Sequence, residues 1–194
     1  LGFVYWWLAA RIFPPEMIGN ASALLSVVGL VGLLGEAGLG TLLVGEIIRH
    51  PGKAPALVAA AASVGVALAI GLALAFVLGA HFLGAANLID GWLAGAVFVV
   101  GCGLTALTMV VDQAFVGSLN STGRMIQQVL FSMFKLMLLA LVPIISQTSS
   151  TVILLTWVAG LLASWIGADL VTRGGARRLI GIPDFRLLHT FKRT

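Results

Sequence analysis

Residues 92–117 read WLAGAVFVVGCGLTALTMVVDQAFVG. The only charge in this stretch is Asp112, and no proline or turn cluster interrupts it. At 1.5 Å per residue it is long enough to cross a hydrocarbon core of about 30 Å as one continuous helix. A helix this apolar can be the core of a soluble domain only if enough polar surface surrounds it. Of the 194 residues, 60% are apolar and 9% charged, with a mean hydropathy of +1.10, against about 25% charged in an ordinary soluble domain. A sphere of this size has too little interior to hide so many apolar side chains from water. The composition also excludes a disordered chain, and the single cysteine, Cys102, excludes a disulfide-stapled scaffold. The fold class is therefore all-α, a polytopic membrane protein.

Similar stretches lie on both sides. Six spans are expected, over about 1–13, 17–48, 55–82, 92–117, 127–145 and 152–171. The opening LGFVYWWLAARIF is apolar from Leu1 onward. It is expected to be the outer part of a first transmembrane helix whose start is missing, and Pro14-Pro15 closes it. The stretch 17–48 is too long for one straight crossing. Glycines punctuate it, with Glu36 among them, so we expect a helix over 17–35, a bend carried by Gly35, Gly38 and Gly40, and a continuation to Ile48. RHPGKAP, AANLIDG, SLNSTGR and SQTSS read as connecting loops, and residues 172–194 as a basic cytoplasmic tail.

Orientation follows from lysine and arginine on alternating loops. Arg49, Lys53, Arg124, Arg173, Arg177, Arg178, Arg186, Lys192 and Arg193 fall on one side, and only Arg11 on the other. The basic side is expected to be cytoplasmic, with both termini inside. The sequence pI near 10 is thus a topology signal concentrated in the tail. It does not mark an affinity for nucleic acid, and the tail's basic residues are expected to meet anionic membrane lipids.

No soluble-enzyme signature is present: no P-loop, HExxH, GxSxG, paired cysteines or GxGxxG. The three histidines have no ligand spacing between them, so neither a cofactor nor a metal is expected. Charges at membrane depth carry more information, because each costs several kcal/mol unless paired or hydrated. Asp112 lies near the cytoplasmic end of the fourth span and Lys135 within the fifth. The connecting turn is short, so an Asp112–Lys135 pair is expected, either as a tie between helices or as a contact on a substrate or ion pathway. Glu36 in the glycine-rich bend either hydrates at the membrane edge or lines a polar cavity. Arg11 either snorkels to headgroups or attracts an anionic substrate.

The stretch ARIFPPEMIGNASALLSVVGLVGLLGEAGLGTLLV, residues 10–44, resembles the opening of bacterial polysaccharide flippases of the O-antigen and teichoic-acid type. These belong to the multidrug/oligosaccharidyl-lipid/polysaccharide exporter superfamily. The likeness rests on Ala10-Arg11, the proline-containing loop from Pro14 to Gly19, and Gly38-Leu39-Gly40-Thr41. VDQAFVG with Asp112-Gln113, and FSMFKLMLL with Lys135, extend it to the fourth and fifth spans. The resemblance implies a transporter of two six-helix lobes in the bacterial plasma membrane, moving lipid-linked oligosaccharide precursors outward by alternating access. This chain would be its N-terminal lobe, with a C-terminal lobe of the same protein as partner and a lipid-linked glycan as substrate. No enzyme activity is implied. Two other readings stay open: a multidrug or cation antiporter lobe of the same superfamily, and a membrane-embedded enzyme or scaffold of glycan assembly.

Overall fold

The computed structural model describes residues 2–82, 89, 91–145, 149–171, 181 and 183. Among them there are seven α-helices and no strand: α1 (Gly2–Ile12), α2 (Pro15–Glu36), α3 (Leu39–Arg49), α4 (Ala54–Phe82), α5 (Gly91–Gly117), α6 (Ser121–Ile145) and α7 (Ser150–Val171). A single 3-10 turn, Pro51–Lys53, precedes α4. Five of the helices, α2, α4, α5, α6 and α7, are long and apolar enough to cross a membrane. Helices α1 and α3 have 11 residues each and so reach about 16 Å, roughly half the hydrocarbon thickness. Most of the basic tail, and most of the loops AANLIDG and SQTSS, lie outside the described residues.

Local chemistry explains the boundaries. Pro15 opens α2 at a position where its missing N–H is no loss, with Pro14 extended before it. Between α2 and α3 the chain breaks outright, because Ala37 (φ 48°) and Gly38 (φ 74°) are both left-handed. The bend expected at Gly35, Gly38 and Gly40 therefore belongs to Gly38 and to an alanine that no glycine pattern marks. Gly35 and Gly40 serve close packing. A methyl on residue 35 would stand 2.7 Å from Ala69 Cβ and 2.9 Å from the Gly65 carbonyl oxygen of α4. Glycine here lets the α2 and α4 backbones approach each other. Helix α6 begins at Ser121, earlier than the 127 expected, since Asn120 Oδ1 accepts the Gly123 N–H at 3.1 Å as an N-cap.

Helix α5 is the centre of the bundle and packs against α2, α3, α4 and α7. Phe98 and Cys102 on it are fully buried against Val28, Leu154 and Val158. Further along, Val110, Val111 and Phe115 meet Leu43 and Ile47 of α3 and Val58 of α4. Helix α6 lies mainly against α7 and only lightly against α5. Helix α1 joins this second group, with Tyr5 and Ala9 packed among Leu139 and Ile153. The outward faces are apolar: Leu33, Leu34, Leu78, Met133, Ile166 and Leu170 are all more than half exposed. A belt of this kind suits contact with lipid tails and is a liability in water.

Candidate functional site: two clefts that meet at Phe131 and Trp157

The lysine at membrane depth takes its position from a close helix crossing. Gly160 of α7 lies so near α6 that a methyl on it would stand 3.1 Å from the Lys135 N and Cα. From this crossing the Lys135 side chain extends over aromatic faces. Its Nζ is 4.7 Å from the Phe131 ring centre and 5.1 Å from that of Tyr5. Such cation–π contacts are worth about 0.5–2 kcal/mol each, depending on desolvation. Tyr5 is held in turn by its hydroxyl, which is 3.1 Å from Thr156 Oγ1 of α7. Lys135, Tyr5, Trp6, Ser22, Ser26 and Trp157 line a cleft of about 430 Å³. Among the described residues no carboxylate pairs with this ammonium.

The expected Asp112–Lys135 pair does not form. Asp112 Oδ2 instead lies 3.7 Å from Arg124 Nη2. Depth is the reason: Lys135 is 14 residues into α6, a rise of about 21 Å, whereas Asp112 is only about 8 Å from the end of α5. The early start of α6 puts Arg124 in its first turn, level with Asp112. The short turn between α5 and α6 also fails to make them close neighbours, since α7 takes the place beside α6.

Asp112 belongs to a second cleft of about 170 Å³, formed by α5, α6 and α7. Gln127, Gln128, Thr105, Thr108 and Ser164 supply its uncharged polar groups, and Phe131, Trp157, Met109 and Leu161 its apolar walls. Gln127 is 4% exposed and, among the described residues, its Nε2 has no hydrogen-bond partner. A buried amide donor left without an acceptor costs about 1–3 kcal/mol. The three hydroxyls donate to carbonyls of their own helix: Thr105 to Gly101, Thr108 to Leu104 and Ser164 to Leu161. Thr108 Oγ1 also accepts from Trp165 Nε1 at 3.2 Å. Gln127 gave no signal in the sequence, because it stood at the expected boundary of a span.

The two clefts meet at one aromatic wall. Trp157 lines both, and Phe131 lines the second while lying under the Lys135 ammonium. Their rings pack edge to face, with centres 5.5 Å apart at 89°. This pairing brings Lys135 and Asp112 to neighbouring compartments without bringing them into contact.

The remaining candidates lie elsewhere. Glu36 is 7% exposed at the α2–α3 break, its carboxylate against Gly40, where the Gln113 stem also packs. Arg11 is exposed at the end of α1, its guanidinium 4.3 Å from the Trp7 ring centre. It is thus held by an aromatic of its own helix and lines neither cleft. Glu46 is a further buried carboxylate, outside the residues expected from the sequence. It meets Arg49 at 3.3 Å and His50 at 3.9 Å. The i, i+3 and i, i+4 spacing of GEIIRH was the available signal. Among the described residues no group of three or more His, Cys, Asp and Glu side chains could hold a metal ion. Comparison with family models, curated proteins and solved structures finds no match to this chain.

Proposed function

We propose that this chain is the N-terminal lobe of a flippase that moves lipid-linked oligosaccharide precursors across the bacterial plasma membrane by alternating access. The observation that carries the reading is the Lys135 cleft. An ammonium at membrane depth, with no carboxylate beside it among the described residues, is best satisfied by an anion brought by a ligand. The phosphate of a lipid carrier is such an anion, and it arrives with an acyl or prenyl tail suited to apolar helix faces. Ser22 and Ser26 stand within the cleft. Their hydroxyls are bonded to carbonyls of their own helix. The resemblance of residues 10–44 to polysaccharide flippases supports the same substrate class, and on this reading a second lobe of the same protein completes the transport path.

A second reading, a multidrug or cation antiporter lobe, is favoured by one observation: the buried Glu36 carboxylate. Binding to the full chain in neutral lipid nanodiscs separates the two. On the flippase reading, a polyprenyl diphosphate-linked disaccharide binds, and Lys135→Gln weakens it at least about tenfold. Glu36→Gln leaves that affinity unchanged. On the antiporter reading, a lipophilic cation such as tetraphenylphosphonium binds in a way that needs Glu36 and ignores Lys135. Absence of any effect of Lys135→Gln on the glycolipid overturns the flippase reading.

A further inference from the structure

We propose that the cleft lined by Gln127, Asp112, Thr105, Thr108 and Ser164 is a sugar subsite. It would take the first glycosyl ring of the lipid-linked glycan while the adjoining Lys135 cleft takes the phosphate. The inference deepens the reading of the Lys135 cleft as an anion site and rests on it for the identity of the lipid carrier. Its own basis is the donor and acceptor set of the second cleft.

Gln127 Nε2 is a buried donor with no acceptor among the described residues, and the exposed Gln128 lines the same cleft with a second amide. The hydroxyls of Thr105, Thr108 and Ser164 have committed their protons to helix carbonyls, so toward the cleft they offer only oxygen lone pairs. Asp112 also accepts only, and its negative charge is shared with Arg124 at 3.7 Å. A ligand that fits this set donates several hydrogen bonds and accepts at least one. A phosphate or carboxylate donates none and meets the Asp112 charge. An ammonium ion accepts none and leaves Gln127 unsatisfied. Alcohol hydroxyls on a ring do both.

The apolar walls point the same way. Phe131 and Trp157 present aromatic surface to the cleft, and a sugar ring has an apolar C–H face as well as a hydroxyl edge. The volume of about 170 Å³ equals that of about six waters, enough for one ring and too little for a long glycan. Trp157 lines both clefts and Phe131 lies between the Lys135 ammonium and the second, so the phosphate and ring sites are neighbours. The unsatisfied amide then becomes intelligible as a donor held ready for a ligand oxygen.

The test uses the full chain in phosphatidylcholine nanodiscs and three probes. Octyl β-D-glucoside below its micellar concentration carries the sugar alone, polyprenyl phosphate the phosphate alone, and polyprenyl-phosphoryl-glucose both. Gln127→Met, of similar shape and without a polar group to satisfy, is expected to weaken both glucose probes about five- to tenfold. It should leave polyprenyl phosphate unchanged, whereas Lys135→Gln should weaken the two phosphate-bearing probes and leave octyl glucoside unchanged. Selective ¹⁵N labelling of glutamine gives a readout that needs no variant for binding, since the Gln127 side-chain amide signal should shift on adding octyl glucoside. Unchanged glucoside affinity in Gln127→Met, or an unmoved amide signal, overturns the subsite and leaves ordered water as the occupant. If the glucoside responds to Gln127 while the phosphates ignore Lys135, the sugar site stands and the flippase reading falls.

Discussion

Replacing Gly160 by alanine tests the crossing that sets the position of Lys135. The new methyl would lie 3.0 Å from Lys135 Cβ and 3.1 Å from its Cα and N. Ordinary carbon–carbon contact is about 3.5–4.0 Å, so α6 and α7 must separate by about half an ångström. The obstructing atoms are backbone and the Cβ fixed to it, which cannot rotate aside. Overpacking of this kind costs about 1–3 kcal/mol, and the better helix propensity of alanine offsets up to about 1 kcal/mol of it. The expected net change runs from near zero to a loss of about 2 kcal/mol. Gly71→Ala in α4 is the control: nothing lies within 4 Å of its added methyl, and the same propensity gain of up to about 1 kcal/mol is expected uncompensated. Equilibrium unfolding of the full chain in mixed micelles with increasing dodecyl sulfate, followed by tryptophan fluorescence, should separate the two variants by about 1–3 kcal/mol. The reasoning fails if Gly160→Ala is as stable as Gly71→Ala.

Two further expectations concern the corrected features. A double-mutant cycle with Asp112→Asn and Arg124→Gln should yield a coupling of about 0.3–1 kcal/mol, modest because the Arg124 side chain is 52% exposed. The corresponding cycle with Lys135→Gln should give none, and a larger coupling to Lys135 would restore the pairing expected from the sequence. At the α2–α3 break, Ala37→Gly removes the strain of a left-handed alanine, worth about 1–2 kcal/mol, against a smaller entropic loss of about 0.5–1 kcal/mol. Net stabilisation of a few tenths to about 1 kcal/mol should follow, whereas Gly38→Val should destabilise; the same unfolding measurement decides, and the reverse order would refute the break.

The sequence by itself determined the class of molecule and the approximate course of its long helices. Hydropathy alone requires apolar helices of about 20 residues, since lipid offers no partner to an open backbone group. Pro15, Gly38 and the polar connectors mark helix ends through local sterics, which a one-dimensional reading can see. That α5 is central was not legible, because all five long helices are similarly apolar and only packing distinguishes a buried face from one that meets lipid. The ion pair was misassigned for a related reason. Sequence distance between Asp112 and Lys135 carries no measure of depth until the Asn120 cap sets where α6 begins, and then Arg124 is the residue at the right level. Gln127 is the clearest case. An amide near a span boundary is unremarkable as a letter, and only the three helices around it make its free N–H a buried donor facing a cleft. Local rules act over a few residues and leave their mark in the sequence, but enclosure is a property of several helices at once, and the tertiary structure alone decided it.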